Sequence, residues 1–96
     1  MTRPRHASHR DANQQEIVDG LRECGYYVLD VSAFIGWADI AVYGLDWATQ
    51  DHCWRFMEIK TRTGKLTPKE REFQWMHPEA VRTVRTLGAG LACFGR

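Results

Sequence analysis

The feature that most constrains the fold is the segment at residues 53–60, CWRFMEIK, an apolar run that ends in a glutamate and a lysine. Side chains alternate along a β-strand, so the segment has two distinct faces. One face carries Trp54, Phe56, Glu58 and Lys60, and the other carries Cys53, Arg55, Met57 and Ile59. Both faces are largely apolar, which predicts a strand that is covered on both sides. An ion pair adds little stability at such a position. Stability alone is therefore a weak explanation for the presence of Glu58 and Lys60 at the end of this strand.

The segments before this strand predict one helix and two further strands. Asp11 is the predicted N-cap of the helix, and Gly25 is its predicted C-terminal stop. The apolar stripe of this helix consists of Ile17, Val18, Leu21 and Cys24. Residues 26–31, YYVLDV, and residues 38–44, ADIAVYG, are rich in strand-forming side chains. Residues 45–52 are predicted to be a polar hairpin loop.

The segment after residue 60 contains a complete helix start. Thr67 is the predicted cap, Pro68 occupies the first helical position, and Glu70 can reach back to the cap. The helix is expected to run to about His77. Residues 79–84, EAVRTV, and residues 91–94, LACF, are candidate short strands. The order α-β-β-β-α-β, followed by a turn or helix and a last strand, predicts an α/β fold with a mixed central β-sheet flanked by helices.

The composition suits one small domain at residues 11–96, preceded by a basic arm at residues 1–10. The 96 residues are 44% hydrophobic and 26% charged, with a net charge of +1, so a folded intracellular domain is expected. Apolar runs are too short to cross a membrane. Cys24, Cys53 and Cys93 show no metal or redox spacing, so we expect them to act as small hydrophobic side chains.

A second carboxylate is predicted beside Glu58. Asp39 opens an otherwise apolar strand, and an antiparallel hairpin brings the start of one strand beside the end of the next. Two carboxylates that are held close repel each other unless a cation lies between them. Together with a main-chain carbonyl such as that of Ile59, they suit Mg²⁺ or Mn²⁺. Glu16, on the flank of the first helix, is either a third acid of this site or a solvated surface residue.

These residues resemble a known motif. The pattern ADIAVYG…WRFMEIK resembles the PD-(D/E)XK nuclease motif, with Asp39 as the first acid, Glu58-Ile59-Lys60 as E-x-K, and Ala38 in place of the proline. The wider pattern over about residues 11–77, NQQEIVDGLRECGYYVLDVS…GWADIAVYG…MEIKTRTGKLTPKEREF, is similar to small stand-alone VRR-NUC nucleases and the related Holliday-junction resolvase branch. The family often has a glutamine after LTP-x. This sequence has Glu70 there, which we assign to the capping box.

The resemblance implies a restriction-endonuclease-like core and a Mg²⁺-dependent DNA endonuclease, with Mn²⁺ as a substitute. Asp39, Glu58 and the Ile59 carbonyl match the metal ligands. Lys60 matches the lysine that orients the attacking water or stabilises charge on the scissile phosphate, and Glu16 matches the acid of the first helix, a further candidate ligand. The expected DNA contacts are Asn13, Thr61, Arg62 and Lys65. A homodimer, branched DNA such as a Holliday junction as substrate, and a cytoplasmic location in a bacterial or phage-type host cell are also implied.

Two other functions stay open from the residues alone. One is a catalytically inactive nucleic-acid-binding module on the same fold, although clustered carboxylates repel phosphate. The other is a structural partner domain in which Glu58 and Lys60 form an incidental pair. Among the tryptophans, Trp54 is predicted to lie in the core, and Trp37 and Trp47 are predicted to contact DNA or a second subunit.

Overall fold

The computed structural model describes residues 12–96 of the chain. The described part contains α1 (Ala12–Glu23), β1 (Tyr27–Asp30), β2 (Ile40–Asp46), β3 (Asp51–Ile59), α2 (Pro68–Met76), β4 (Arg82–Val84) and α3 (Leu87–Ala92). The predicted basic arm at residues 1–10 and the predicted N-cap Asp11 lie outside the described residues.

The strands form one mixed sheet, as the sequence predicted. The strand order is β1-β2-β3-β4; the β1–β2 and β2–β3 pairs are antiparallel, and the β3–β4 pair is parallel. Parallel strands need a crossover connection, and here the connection contains α2. The register pairs Ile40 with Met57 and Ile59 with Val84. The start of β2 and the start of the segment after β4 therefore flank the C-terminal end of β3.

One face of the sheet is covered by α1 and α3. The core between these layers includes the buried residues Ile17, Leu21, Val28, Ile40, Val42, Met57, Val84 and Phe94. Gly20 faces Leu87 at a distance that leaves no room for a Cβ atom. The glycine that lowers the helix propensity of α1 therefore allows close packing of α1 on α3.

The opposite face is covered by α2 at one end of the sheet. Trp37 stacks on Phe73 of α2, with ring centroids 4.8 Å apart, and contacts Phe56 of β3 at 5.1 Å. This cover does not reach Trp54, which is 44% exposed. The prediction that Trp54 lies in the core is therefore wrong, because α2 shields only the C-terminal end of β3. Trp37 is packed between two rings, whereas Trp47 is exposed.

The C-terminal segment differs from its prediction. Residues 91–94, LACF, are not a strand: Leu91 and Ala92 belong to α3, which is capped by Thr86 through a hydrogen bond from the Ala89 N–H of 3.0 Å. An apolar run of four residues cannot distinguish a strand from a short helix. The threonine cap and the contact of Phe94 with the core favour the helix.

Two smaller expectations also need correction. The hairpin between β2 and β3 is tighter than predicted, because the strands pair as far as Asp46 and Asp51. Cys24 is an exposed thiol that follows the last residue of α1, so it does not extend the apolar stripe.

Within residues 12–96, no helix combines the length and the apolar character needed to cross a bilayer.

Candidate active site

Asp39 lies immediately before β2 and is fixed by hydrogen bonds to two neighbouring segments. Its main-chain N–H donates to the Met57 carbonyl (2.9 Å), and its carbonyl accepts from the Val31 N–H (3.0 Å). Its carboxylate Oδ2 accepts from the Ile59 N–H at 2.7 Å. The carboxylate therefore continues the β2–β3 ladder by one side-chain bond and is held against the end of β3.

Glu58 is the buried acid of the site, with 5% of its surface exposed. Burial, followed by the carboxylates of Asp39 and Glu70, raises the pKa of Glu58 to about 8. Burial removes water that would solvate the ionised carboxylate, and a neighbouring negative charge repels it, so both disfavour ionisation. The site therefore concentrates negative charge that requires a proton or a cation.

Lys60 follows β3 directly and lies between two glutamates. Its main-chain N–H donates to the Val84 carbonyl at 3.0 Å. Its Nζ is 3.0 Å from Glu70 Oε1 and 3.6 Å from Glu58 Oε2. Burial alone would lower the pKa of Lys60, but the neighbouring carboxylates of Glu70 and Glu58 outweigh burial and raise it. Lys60 is therefore a charged ammonium in this arrangement.

Glu70 has a second role that the sequence analysis missed. The predicted capping box is present: Thr67 Oγ1 accepts from the Glu70 N–H (3.1 Å), and Glu70 Oε1 accepts from the Thr67 N–H (2.8 Å). The same Oε1 also contacts the Lys60 ammonium. Burial would raise the pKa of Glu70, but the Thr67 N–H and Lys60 outweigh it and lower the pKa. The signal in the sequence was an acid at the start of a helix that begins soon after Lys60.

The two α1 residues of the predicted site differ in their contacts. Asn13 Nδ2 donates to the Lys60 carbonyl at 2.9 Å, so α1 is attached to the end of β3 at the site. Glu16 lies one helical turn after Asn13 and therefore on the same side of α1. Its side chain is exposed, and within the described chain no hydrogen bond or ion pair joins it to Asp39, Glu58 or Lys60. The structure thus brings Asn13 to the site by contact and leaves Glu16 on its rim.

The donor set fits a hard divalent cation such as Mg²⁺. N–H and C=O groups of one strand residue point to the same side, so the Ile59 carbonyl faces the edge where its N–H meets Asp39. Asp39, Glu58 and this carbonyl supply oxygen ligands of the kind that Mg²⁺ prefers, and Mg²⁺ keeps water or phosphate at its remaining positions. Among residues 12–96, no group of three or more His, Cys, Asp or Glu side chains is placed to hold a metal. Two carboxylates and one carbonyl do not fill the octahedral coordination of Mg²⁺, so water or phosphate oxygens would have to supply the rest.

The loop after Lys60 carries the remaining predicted DNA contacts. Thr61, Arg62 and Lys65 are all exposed. The loop leads into the N-terminus of α2, where Pro68 begins the helix. Cationic side chains and a helix N-terminus both attract phosphate groups. The loop beside the site thus carries two exposed cationic side chains, Arg62 and Lys65, whereas the buried side chain of the site is the acid Glu58.

No family model, curated protein or solved structure matches this chain. The resemblance to PD-(D/E)XK nucleases therefore stays a prediction, which depends on Asp39, Glu58, Ile59 and Lys60 and on the order of the surrounding elements.

Proposed function

We propose that this protein is a metal-dependent DNA endonuclease of the PD-(D/E)XK type with a restriction-endonuclease-like core. The observation that carries the proposal is the convergence of Asp39, Glu58 and Lys60 at one end of β3. The Asp39 carboxylate accepts a hydrogen bond from the N–H of Ile59. Ile59 is the residue between Glu58 and Lys60, so the bond holds Asp39 beside both. A domain without a reaction to catalyse has no physical need for buried like charges, which cost stability.

Each residue has a defined part in the proposed hydrolysis. Asp39, Glu58 and the Ile59 carbonyl would hold Mg²⁺, with Mn²⁺ as a substitute, and Glu16 on the rim is a further candidate ligand. The bound ion supplies charge neutralisation at the phosphate and a more acidic water. The Lys60 ammonium, held by Glu70 at 3.0 Å, orients the attacking water or stabilises the negative charge that develops on the scissile phosphate. Asn13 holds the Lys60 carbonyl and is also a proposed DNA contact.

The substrate is proposed to be DNA, with branched structures such as four-way junctions as the preferred class. Thr61, Arg62 and Lys65 extend from the site along the loop and would contact phosphates that flank the cleaved bond. Two copies of the chain, each cutting one strand, would suit a branched substrate, so a homodimer is part of the proposal. A cytoplasmic location agrees with this activity.

The test is a cleavage assay on plasmid, fork and four-way-junction DNA with Mg²⁺, with Mn²⁺ and with EDTA. We expect cutting with either metal and none in EDTA. Glu58→Ala and Lys60→Ala should each reduce cutting by about 10²-fold or more, whereas Glu72→Ala, an exposed acid of α2, should cut like wild type. Circular dichroism of each variant verifies the fold.

The assay also separates the competing functions. Binding of DNA without nicking in either metal would identify a nucleic-acid-binding module, and the nuclease proposal would be wrong. A protein that neither binds nor cuts DNA would be a structural partner domain.

A further inference from the structure

Arg85 contacts the loop that follows Lys60. We call residues 61–66, TRTGKL, the basic loop. One guanidinium nitrogen of Arg85, Nη1, donates to the Thr61 carbonyl at 2.7 Å and to the Gly64 carbonyl at 2.6 Å. The Thr61 carbonyl also accepts from the Gly64 N–H at 3.2 Å. A single side chain therefore bridges both ends of a tight turn.

The position of Arg85 follows from the parallel pairing of β4 with β3. Val84 accepts a hydrogen bond from the Lys60 N–H at 3.0 Å, so the next residue along the chain lies beside the start of the basic loop. Hydrogen bonds from a charged guanidinium are shorter and stronger than neutral ones. A Cβ atom at Gly64 would lie 2.9 Å from Thr61 Oγ1, so any larger residue at this position would crowd Thr61.

Each of the two residues whose carbonyl Arg85 holds directly precedes a cationic residue of the loop. Arg62 follows Thr61, and Lys65 follows Gly64, and both side chains are exposed. Fixing Thr61 and Gly64 therefore fixes the backbone from which Arg62 and Lys65 project next to Lys60. Ordering these side chains before DNA arrives lowers the entropic cost of binding.

We propose that Arg85 is a positioning residue for substrate binding, which holds the basic loop in the shape that presents Arg62 and Lys65 to DNA phosphates. This inference rests on the proposed nuclease function. Arg85 acts through the loop and does not itself contact the reacting atoms. Its loss therefore weakens DNA binding more than it slows the chemical step.

The variants are Arg85→Ala, Arg85→Lys and a matched control, Arg82→Ala. Lysine keeps the charge but lacks the planar fork of arginine, so it should restore only part of the function. Arg82 is an exposed arginine of the same short strand, and within the described chain it donates no hydrogen bond to the basic loop. Where Arg85→Ala fails to fold, as judged by circular dichroism, Arg85→Lys is the test variant.

The first measurement is hydrogen exchange of the loop amides in the absence of metal and DNA. We expect faster exchange at residues 61–66 in Arg85→Ala than in wild type or Arg82→Ala, and faster tryptic cleavage after Arg62 and Lys65. The second is steady-state cleavage of a junction substrate, for which KM should rise roughly five- to fiftyfold in Arg85→Ala while kcat changes less than about threefold.

The outcomes are decisive in each case. Equal loop exchange in Arg85→Ala and Arg82→Ala would overturn the proposal, and so would faster exchange with an unchanged KM. If the wild-type protein binds DNA but does not cleave it, the proposed nuclease function is wrong. The effect of Arg85→Ala on DNA binding is then measured by the dissociation constant for DNA in EDTA instead of by KM. A protein that does not bind DNA at all overturns both proposals.

Discussion

Glu70 Oε1 lies 3.0 Å from Lys60 Nζ, closer than the 3.6 Å between Lys60 Nζ and Glu58 Oε2. The same oxygen accepts the Thr67 N–H and so belongs to the capping box of α2. The start of α2 and the orientation of Lys60 therefore depend on one carboxylate. A helix cap, which ordinarily affects stability alone, is coupled here to the candidate site.

Thr67→Ala and Glu70→Gln should separate these two roles. Thr67→Ala removes the side-chain cap but keeps the main-chain N–H that Glu70 accepts, so we expect a loss of about 1 kcal/mol in the free energy of unfolding with near-normal cleavage. Glu70→Gln keeps an acceptor for the Thr67 N–H but loses the ion pair with Lys60. We expect stability to fall by less than about 1 kcal/mol and kcat to fall roughly tenfold.

Urea denaturation and steady-state cleavage measure these two effects. Cleavage that falls equally in both variants would show that Glu70 acts only through the helix cap. Glu72→Gln, on an exposed position of α2, is the control for the change of charge.

The raised pKa of Glu58 predicts a pH-dependent stability of the metal-free protein. Its pKa in the folded state is about 8, against an ordinary value of 4.5, because of burial and the carboxylates around it. Between these two values the folded state binds more protons than the unfolded state, so stability falls as pH rises. Thermal unfolding in EDTA from pH 5 to 8 should show this decline, and Glu58→Gln should flatten it. An equal slope in wild type and Glu58→Gln would contradict the prediction.

A divalent cation should stabilise the wild-type protein. A ligand that binds only the folded state adds stability of about 2.7 kcal/mol at a hundredfold excess over its dissociation constant. We expect Mn²⁺ and Mg²⁺ to raise the melting temperature at pH 8, where Glu58 is least protonated. Glu58→Gln should lose most of this shift, because a neutral amide is a poor ligand for a hard cation. Differential scanning fluorimetry with and without EDTA tests this, and equal shifts in both proteins would place the metal elsewhere.

The sequence predicted the parts of the fold that local rules determine. Alternation along residues 53–60 predicted β3 with Glu58 and Met57 on opposite faces, and Thr67-Pro68-Lys69-Glu70 predicted the start of α2. The antiparallel hairpin of the second and third strands also predicted that Asp39 lies beside the end of β3. Each of these depends on residues that are close in sequence or joined by one short turn.

The features that sequence reasoning missed depend on how far one element extends over another. The exposure of Trp54 follows from the limited reach of α2, which is a tertiary property. The contact between Glu70 and Lys60 and the contact between Arg85 and the basic loop both need the exact placement of α2 and β4 against β3. Hydrophobic periodicity carries no information on such placements.

The buried ion pair of Asp46 with Arg55 predicts how the stability of the hairpin between β2 and β3 responds to acid. It is 5% exposed and forms an ion pair of 2.9 Å with Arg55, and its Oδ1 accepts the N–H groups of Ala48 and Thr49. Burial alone would raise the pKa of Asp46, but these hydrogen bonds and Arg55 outweigh burial and lower the pKa below 3.8. The stabilisation is therefore complete above pH 3.8 and is lost as pH falls through the lowered value.

Asp46→Asn should be less stable at pH 7 and should lose less stability between pH 5 and 2 than wild type. Asp51→Asn, at the exposed position paired with Asp46, is the matched control, and a similar acid profile for both variants would show that the buried ion pair is not the cause.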